Sequence, residues 1–174
     1  TDRKKIRSVI EEAGTGYLPP DKVTMLLNAA GIETVPESVV HSSEDAVREA
    51  VRMGFPVVMK VIGPLHKSDM GGVALNISNS DEVSAQFTRM IKLPEVKAIL
   101  IQKMISGMEL FCGAKREGKF GHLVMAGMGG IFIEVFKDVD TALVPVTEQE
   151  AEPMIRSLKT YKIMKGARGS KGID

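Results

Sequence analysis

The sequence predicts a mixed protein of the α/β (α+β) class, and two observations carry this prediction. In residues 1–94, segments with the apolar spacing of one-sided helices alternate with short apolar runs typical of strands. In residues 95–174, five strand-like segments are joined by short turns, and one further helix is indicated. With 174 residues and 44% apolar composition, the chain can bury a core as one ordinary domain or as two small lobes.

Capping residues mark the elements of the first half. Aspartate or serine precedes each main helix, and glycine or proline follows it. The helices are expected at 3–13, within a connecting arm of residues 1–20, then from Asp21 to Gly31, from Ser42 or Ser43 to Gly54, and from Ser80 to about Pro94. The strands are expected at 33–40, through Lys60, and at 72–77.

The second half is richer in strands. They are expected at 96–103, 109–115, 122–126, 131–136 and 142–146. Thr147 and Glu150 predict a capping box for the last helix. Pro153 lies inside the helical pattern and is expected to kink that helix or delay its start. Residues 165–174 contain three glycines and are expected to form a loop.

Charge and composition exclude several partners. The 23 basic and 22 acidic residues give a net charge of +1, so no bulk field favours nucleic acid or an anionic membrane. No apolar run reaches about 18 residues, which argues against a membrane span, and no signal-peptide pattern is visible. The single Cys112 favours a reducing compartment such as the cytoplasm, and we expect it to be a small buried side chain.

A basic loop in the first half suggests an anion site. Lys60 follows the apolar run 57–59 and needs an anionic partner if it lies at the end of a covered strand. Gly71 and Gly72 allow backbone N–H groups to approach an oxyanion closely. His66 lies between Lys60 and this glycine pair and offers a nucleophilic imidazole. The alternatives are a lysine whose ammonium extends into solvent and an ordinary surface histidine.

Five segments together resemble a known family. They are 55–60, 66–73 (His-Lys-Ser-Asp-Met-Gly-Gly-Val), 107–116, 128–139 and 165–169. They are similar to the β-type ATP-grasp module of the nucleoside-diphosphate-forming acyl-CoA synthetases, relatives of succinyl-CoA synthetase. The resemblance implies an ATP-grasp fold of two small α/β lobes, 21–94 and 95–174. Members continue past 165–169 with an Asp-x-Asn-Pro strand, absent here, so we expect the second lobe to be C-terminally truncated.

The resemblance also implies an activity. Such enzymes convert acyl-CoA, ADP and phosphate into a carboxylic acid, CoA and ATP, with Mg²⁺ at the nucleotide. A histidine of a CoA-ligase module receives the phosphoryl group first, and His66 would carry it to the nucleotide. Imidazole suits this task because its pKa of about 6.5 leaves a neutral, nucleophilic nitrogen at neutral pH. The expected partners are CoA-binding and CoA-ligase modules on the same polypeptide or on an α subunit.

Further site residues follow from the resemblance. Those expected to bind nucleotide are Lys60, Gly71, Gly72, Gln102, Lys103, Met104 and Glu109. Glu134 and Asp138 lie four apart, which places them on one face if this segment is a strand, and are expected to bind Mg²⁺. Asp138 is alternatively a catalytic group that steadies the phosphohistidine ring. Lys115 and Arg116 either reach phosphates or are ordinary exposed charges.

Two other functions stay open at the level of sequence. The chain also fits a regulatory ATP-grasp module of the kind fused to protein lysine acetyltransferases. It further fits an ATP-grasp carboxylate–amine ligase, which makes an acyl phosphate and would not need His66. Nothing in the sequence reveals the acyl group or the preference between ADP and GDP.

Overall fold

A computed structural model describes residues 1–63, 70–130, 135, 137–166 and 172 of the chain. The expectations for His66 and Glu134 lie outside the described residues. The chain divides into two compact units, Thr1–Ile105 and Ser106–Asp174. The last strand before residue 105 pairs within the first unit, so the unit boundary lies beyond the boundary expected at residue 94.

The first unit is a four-stranded sheet with helices. Its elements are α1 (Arg3–Glu12), α2 (Pro20–Ala30), β1 (Glu37–Val40), α3 (Ser43–Met53), β2 (Val57–Ile62), β3 (Val73–Ile77), α4 (Ser80–Met90) and β4 (Ala98–Lys103). The strand order is β1-β4-β2-β3, and every pairing is antiparallel. Antiparallel pairing makes this unit α+β, although helices and strands alternate along the chain as expected.

One face of this sheet carries the core. In β2, alternate residues point to the same face, and Val57, Met59 and Val61 are completely buried there. Opposite them in β4 lie Ile99 and Ile101, which are equally buried. The core cluster includes residues of both α3 and α4, so these helices cover this face of the sheet.

Local capping accounts for the helix ends. The Ser42 side chain accepts a hydrogen bond from the Asp45 N–H at 3.1 Å and starts α3 as predicted. Gly31 ends α2 in the left-handed conformation, at φ 89°. The cap of α4 is Asn79, which accepts from the Glu82 N–H at 2.9 Å, so the prediction of Ser80 is wrong by one residue. Asparagine and serine caps are equivalent by propensity.

The second unit is a three-stranded antiparallel sheet followed by two helices. Its elements are β5 (Leu110–Glu117), β6 (Gly121–Met128), β7 (Val139–Leu143), α5 (Glu148–Ser157) and α6 (Tyr161–Met164), with strand order β5-β6-β7. A small core of Met128, Leu158 and Met164 joins the sheet to the helices. The strand expected at 131–136 falls almost entirely outside the described residues.

Three expectations for the second unit can be compared with the structure. The Thr147 and Glu150 capping box is present. The helix begins at Glu148 and continues past Pro153, so the expected delay of its start is wrong. Cys112 is exposed rather than buried, because it lies at an outward position of an alternating strand. Across the described part of the chain, no helix is long and apolar enough to cross a membrane.

Candidate functional site

The sheet face opposite the core of the first unit carries a line of polar side chains. Lys60 lies in the middle of β2, two residues before the strand ends, and not at its end as expected. Its Nζ donates a hydrogen bond to Oε1 of Gln102 at 2.6 Å. Gln102 lies in β4 opposite Val58, and Val58 shares a face with Lys60. The structure therefore brings together two residues predicted to bind nucleotide.

The line continues into residues that the sequence did not single out. Nε2 of Gln102 donates to Oε2 of Glu37 at 2.5 Å, and these two residues are direct cross-strand partners. The other carboxylate oxygen of Glu37 accepts a hydrogen bond from the Thr24 hydroxyl in α2. Thr24, Glu37 and Gln102 line one pocket of about 380 Å³. In the sequence, Glu37 lies inside the strand expected at 33–40, and a carboxylate there is not a specific signal.

Lys103 does not join this line. It lies opposite Val57, so its side chain lies on the core face, and its Nζ donates to the carbonyl oxygens of Gly54 and Phe55 at 2.7 and 3.0 Å. The backbone N–H of Lys103 donates to Pro36, and that of Met104 donates to Pro56. The backbone N–H groups of both residues, which were expected to bind nucleotide, are thus used within the first unit.

The glycine pair lies beside Lys60. Gly72 precedes Val73, the cross-strand partner of Lys60, and its carbonyl accepts from the Val61 N–H at 2.8 Å. Gly71 has a φ of 69°, where glycine is favoured. Its carbonyl accepts a hydrogen bond from Nη2 of Arg89 at 2.9 Å. Arg89 on α4 thus fixes the chain just before β3, a contact that the sequence did not reveal.

In the second unit, Glu109 packs against two glycines. The Gly129 N–H donates to the Glu109 carbonyl at 2.7 Å. A Cβ at Gly130 would lie 2.9 Å from Oε2 of Glu109, and one at Gly129 would lie 3.0 Å from its Cβ. Real Cβ atoms rarely have contacts this short, so a Cβ at Gly129 would press on Glu109 and one at Gly130 would displace its carboxylate. These two glycines therefore leave room for the acidic side chain of Glu109.

Asp138 is buried, with 6% of its surface exposed, and its carboxylate is used within the second unit. Oδ1 accepts from the Lys159 N–H at 2.9 Å, and Oδ2 accepts from the N–H and the hydroxyl of Thr160 at 2.8 and 2.5 Å. Burial alone would raise the pKa of this carboxyl, but these hydrogen bonds outweigh it and hold the pKa below its ordinary value. The geometry favours an anchor for the turn between α5 and α6.

The described residues do not form a complete metal centre. Among residues 1–63, 70–130, 135, 137–166 and 172, no group of three or more histidine, cysteine, aspartate or glutamate side chains is arranged to hold an ion. Mg²⁺ takes few protein carboxylates and completes its shell with water and substrate phosphates, so the exposed Glu109 fits such an ion only as one ligand of several.

Lys115 pairs with Glu117 at 2.9 Å in an exposed ion pair.

Comparison with known proteins shows the family to which this chain belongs. The family model described as ATP-grasp domain matches residues 9–174. The chain belongs to the ATP-grasp family. Among curated relatives, it is 36% identical over 182 residues to the β subunit of acetate–CoA ligase [ADP-forming] I from Pyrococcus furiosus, covering 98% of this chain and 78% of that subunit. The predicted resemblance is confirmed.

Two longer relatives are equally similar. The chain is 38% identical to acetate–CoA ligase [ADP-forming] I of Archaeoglobus fulgidus and 39% identical to 4-hydroxybutyrate–CoA ligase [ADP-forming] of Nitrosopumilus maritimus. These matches cover 99% and 98% of this chain but only 27% and 26% of the relatives. The chain thus spans about a quarter of their length.

Solved structures confirm the ATP-grasp fold. Acetyl-coenzyme A synthetase 1 of Ca. Korarchaeum cryptofilum, in complex with coenzyme A and Ca-AMPCP, superposes with a TM-score of 0.87 at 35% identity, over 100% of this chain and 80% of that one. The same synthetase with Mg-AMPPCP gives 0.78 at 32% identity, over 100% and 78%. In that second structure, a phosphohistidine segment points towards the nucleotide-binding site.

Proposed function

We propose that this ATP-grasp chain binds the nucleotide and transfers the phosphoryl group in an ADP-forming acyl-CoA ligase. The observation that carries the proposal is the match over 98% of the chain to a β subunit of such a ligase. The overall reaction would convert acyl-CoA, ADP and phosphate into carboxylic acid, CoA and ATP. Its remaining parts, the CoA-binding and CoA-ligase modules, would belong to the same polypeptide or to a partner subunit.

Nucleotide binding would centre on the line of polar side chains that Lys60 and Gln102 form on the first sheet. Lys60 presents an ammonium there, positioned by Gln102, and a cation at this place suits the phosphates of ADP. The glycine pair Gly71 and Gly72 adjoins Lys60 through the β2–β3 ladder, and a backbone without side chains permits a phosphate to approach. We retain Glu109 as a candidate contact to the ribose or the metal.

His66 would carry the phosphoryl group. In the direction of ATP synthesis, a neutral ring nitrogen of His66 takes the group from the histidine of the ligase module. The resulting N–P bond breaks when a terminal oxygen of ADP attacks phosphorus, which returns the imidazole in its neutral form. The solved relative whose phosphohistidine segment points towards the nucleotide supports this assignment.

Magnesium would serve the same step. When bound, Mg²⁺ neutralises the charge that develops on the phosphate oxygens. Glu134 is retained as a proposed ligand. Asp138 is better explained as an anchor, because its two oxygens already accept three hydrogen bonds. The solved relative with Mg-AMPPCP supports Mg²⁺ as the ion of this family.

The acyl group would be selected outside this chain. Relatives named for acetate and for 4-hydroxybutyrate resemble it almost equally, at 38% and 39% identity. A relative named trans-feruloyl-CoA synthase is 35% identical. Since acids of such different size accompany similar ATP-grasp sequences, recognition of the acid would belong to the CoA-ligase modules.

Labelling with radioactive phosphate tests the proposal. The full-length protein is incubated with acyl-CoA and labelled phosphate, and acid-labile phosphate on this module is compared between wild type and His66→Asn. The control is His122→Asn, which replaces an exposed histidine of β6. We expect labelling and ATP formation to be lost in His66→Asn and kept in the control.

The other outcomes decide against the carrier role. Equal labelling and turnover in His66→Asn would exclude a phosphohistidine at this position. Activity of His66→Asn with an amine acceptor would instead indicate a carboxylate–amine ligase. Nucleotide binding without labelling or turnover in the wild-type protein would favour a regulatory module.

A further inference from the structure

Four polar groups form a continuous hydrogen-bonded series across the first unit. Thr24 donates to Glu37, Glu37 accepts from Gln102, and Gln102 accepts from Lys60. The series joins helix α2 to strands β1, β4 and β2, and 65 residues separate Glu37 from Gln102 in the sequence. Lys60, Glu37 and Gln102 are all only partly buried, so the series reaches solvent on the face of the sheet opposite the core.

The chemistry of an amide gives this series a direction. The amide nitrogen of glutamine donates hydrogen bonds and its oxygen accepts them. Because the Glu37 carboxylate accepts only, it holds the Gln102 nitrogen on its own side, and the Gln102 oxygen must then face Lys60. If the amide turned over, two donors would meet at Lys60 and two acceptors would meet at Glu37.

We infer that Glu37 is a positioning residue for nucleotide binding: it fixes the orientation of the Gln102 amide, which in turn positions the Lys60 ammonium. Thr24 supports the series from α2 by donating to the second oxygen of Glu37. This inference rests on the proposed function, in which Lys60 binds the phosphates of ADP.

Register explains why this arrangement is well defined. Glu37 and Gln102 are direct antiparallel partners, so their side chains leave the sheet on the same face. Gln102 faces Val58, and Lys60 is the next residue of β2 on that face. The side chains of these three strand residues therefore leave the sheet on one face, and a slip of one residue would move a member to the core face.

Calorimetric titration of the full-length protein with Mg·ADP tests the inference. We expect Glu37→Ala to raise the Kd about tenfold, the loss typical of one hydrogen bond to a charged group. Glu37→Gln keeps an acceptor oxygen and should stay within about threefold of wild type. The control is Glu33→Ala, which removes an exposed glutamate four residues earlier and should leave the Kd unchanged.

A double-mutant cycle separates positioning from a general effect on stability. If Glu37 acts through Gln102, Glu37→Ala should have no further effect on the Kd once Gln102 is replaced by methionine. Additive losses in the double variant, or a wild-type Kd in Glu37→Ala, would overturn the inference and leave the proposed function intact. A Kd for Glu37→Gln as weak as that of Glu37→Ala would also overturn it, since charge alone would then matter.

Two further measurements complete the test. If Glu37→Ala does not fold, Thr24→Val probes the series from its other end. We expect a twofold to threefold rise in Kd, and an unchanged value would overturn the inference. Failure of the proposed function is recognised separately, because Lys60→Ala would then bind Mg·ADP as tightly as the wild-type protein does, or the wild-type protein would not bind it.

Discussion

Replacing Asp138 by alanine should lower the local stability of the turn between α5 and α6, and we expect this effect to be the primary one rather than a loss of nucleotide binding. The carboxylate accepts three hydrogen bonds, from the Lys159 N–H and from the N–H and hydroxyl of Thr160. Lys159 is exposed, so water can replace its bond, but Thr160 is buried with 7% of its surface exposed. Two buried donors at about 1.5 kcal/mol each predict a loss of about 3 kcal/mol.

Native-state hydrogen exchange measures this loss locally. The free energy of opening for residues 158–166 should fall by about 3 kcal/mol, which corresponds to exchange faster by roughly two orders of magnitude. The matched control is Asp140→Ala, which lies in β7 two residues after Asp138. Asp140 accepts from the Thr141 N–H and the Ser157 hydroxyl, both in exposed surroundings, so we expect little change in exchange.

The reasoning fails if Asp138→Ala exchanges no faster than Asp140→Ala over these residues. If exchange is unchanged while Mg²⁺-dependent turnover is lost, the carboxylate of Asp138 acts at the metal or at the phosphohistidine, as the sequence first suggested. The experiment therefore decides between the anchoring role that the geometry favours and the ligand role that the family resemblance implied.

Two further predictions concern the first unit. A Cβ at Gly63, where φ is 133°, would lie 2.1 Å from the backbone oxygen of Glu95, so Gly63→Ala should lower the free energy of unfolding by at least about 2 kcal/mol. Urea unfolding checks this against Gly118→Ala, which meets nothing within 4 Å, and equal midpoints would contradict it. The Ser38 hydroxyl donates a hydrogen bond to Oε2 of Glu49 at 2.7 Å, and this bond is the largest contribution that lowers the pKa of Glu49. Ser38→Ala should therefore raise that pKa in an NMR titration. A carboxyl group whose pKa is lowered by folding stabilises the fold at pH values above its unfolded-state pKa. The difference in unfolding free energy between wild type and Ser38→Ala should therefore shrink as pH falls through the folded-state pKa of Glu49, and a constant difference would refute the linkage.

Local interactions were predictable because they depend on residues close in sequence. The Ser42 cap, the left-handed Gly31 and the Thr147 and Glu150 box are each decided within about four positions. The one-residue error at α4 belongs to the same class, because Asn79 and Ser80 are both good caps. The resemblance to the ATP-grasp module was likewise visible in the sequence, because each of the five matching segments is a short run of consecutive residues.

The functional geometry was not predictable in the same way. Lys60 was identified from its strand, yet its partner Gln102 is 42 residues away and Glu37 lies on a third strand. The side chain of Lys103 was expected with them but lies on the opposite face, because adjacent strand residues alternate. Arg89 reaches Gly71 only because α4 packs over the sheet beside β3.

By itself, therefore, the sequence determined the helix ends, most strands, the ATP-grasp family and the candidates Lys60 and His66. The tertiary structure decided the antiparallel strand order, the series from Thr24 to Lys60, and the hydrogen bonds of Asp138 to Lys159 and Thr160. The physical reason is sheet register: a shift of one residue sends a side chain to the other face, and register is set by packing over the whole unit rather than by neighbouring residues.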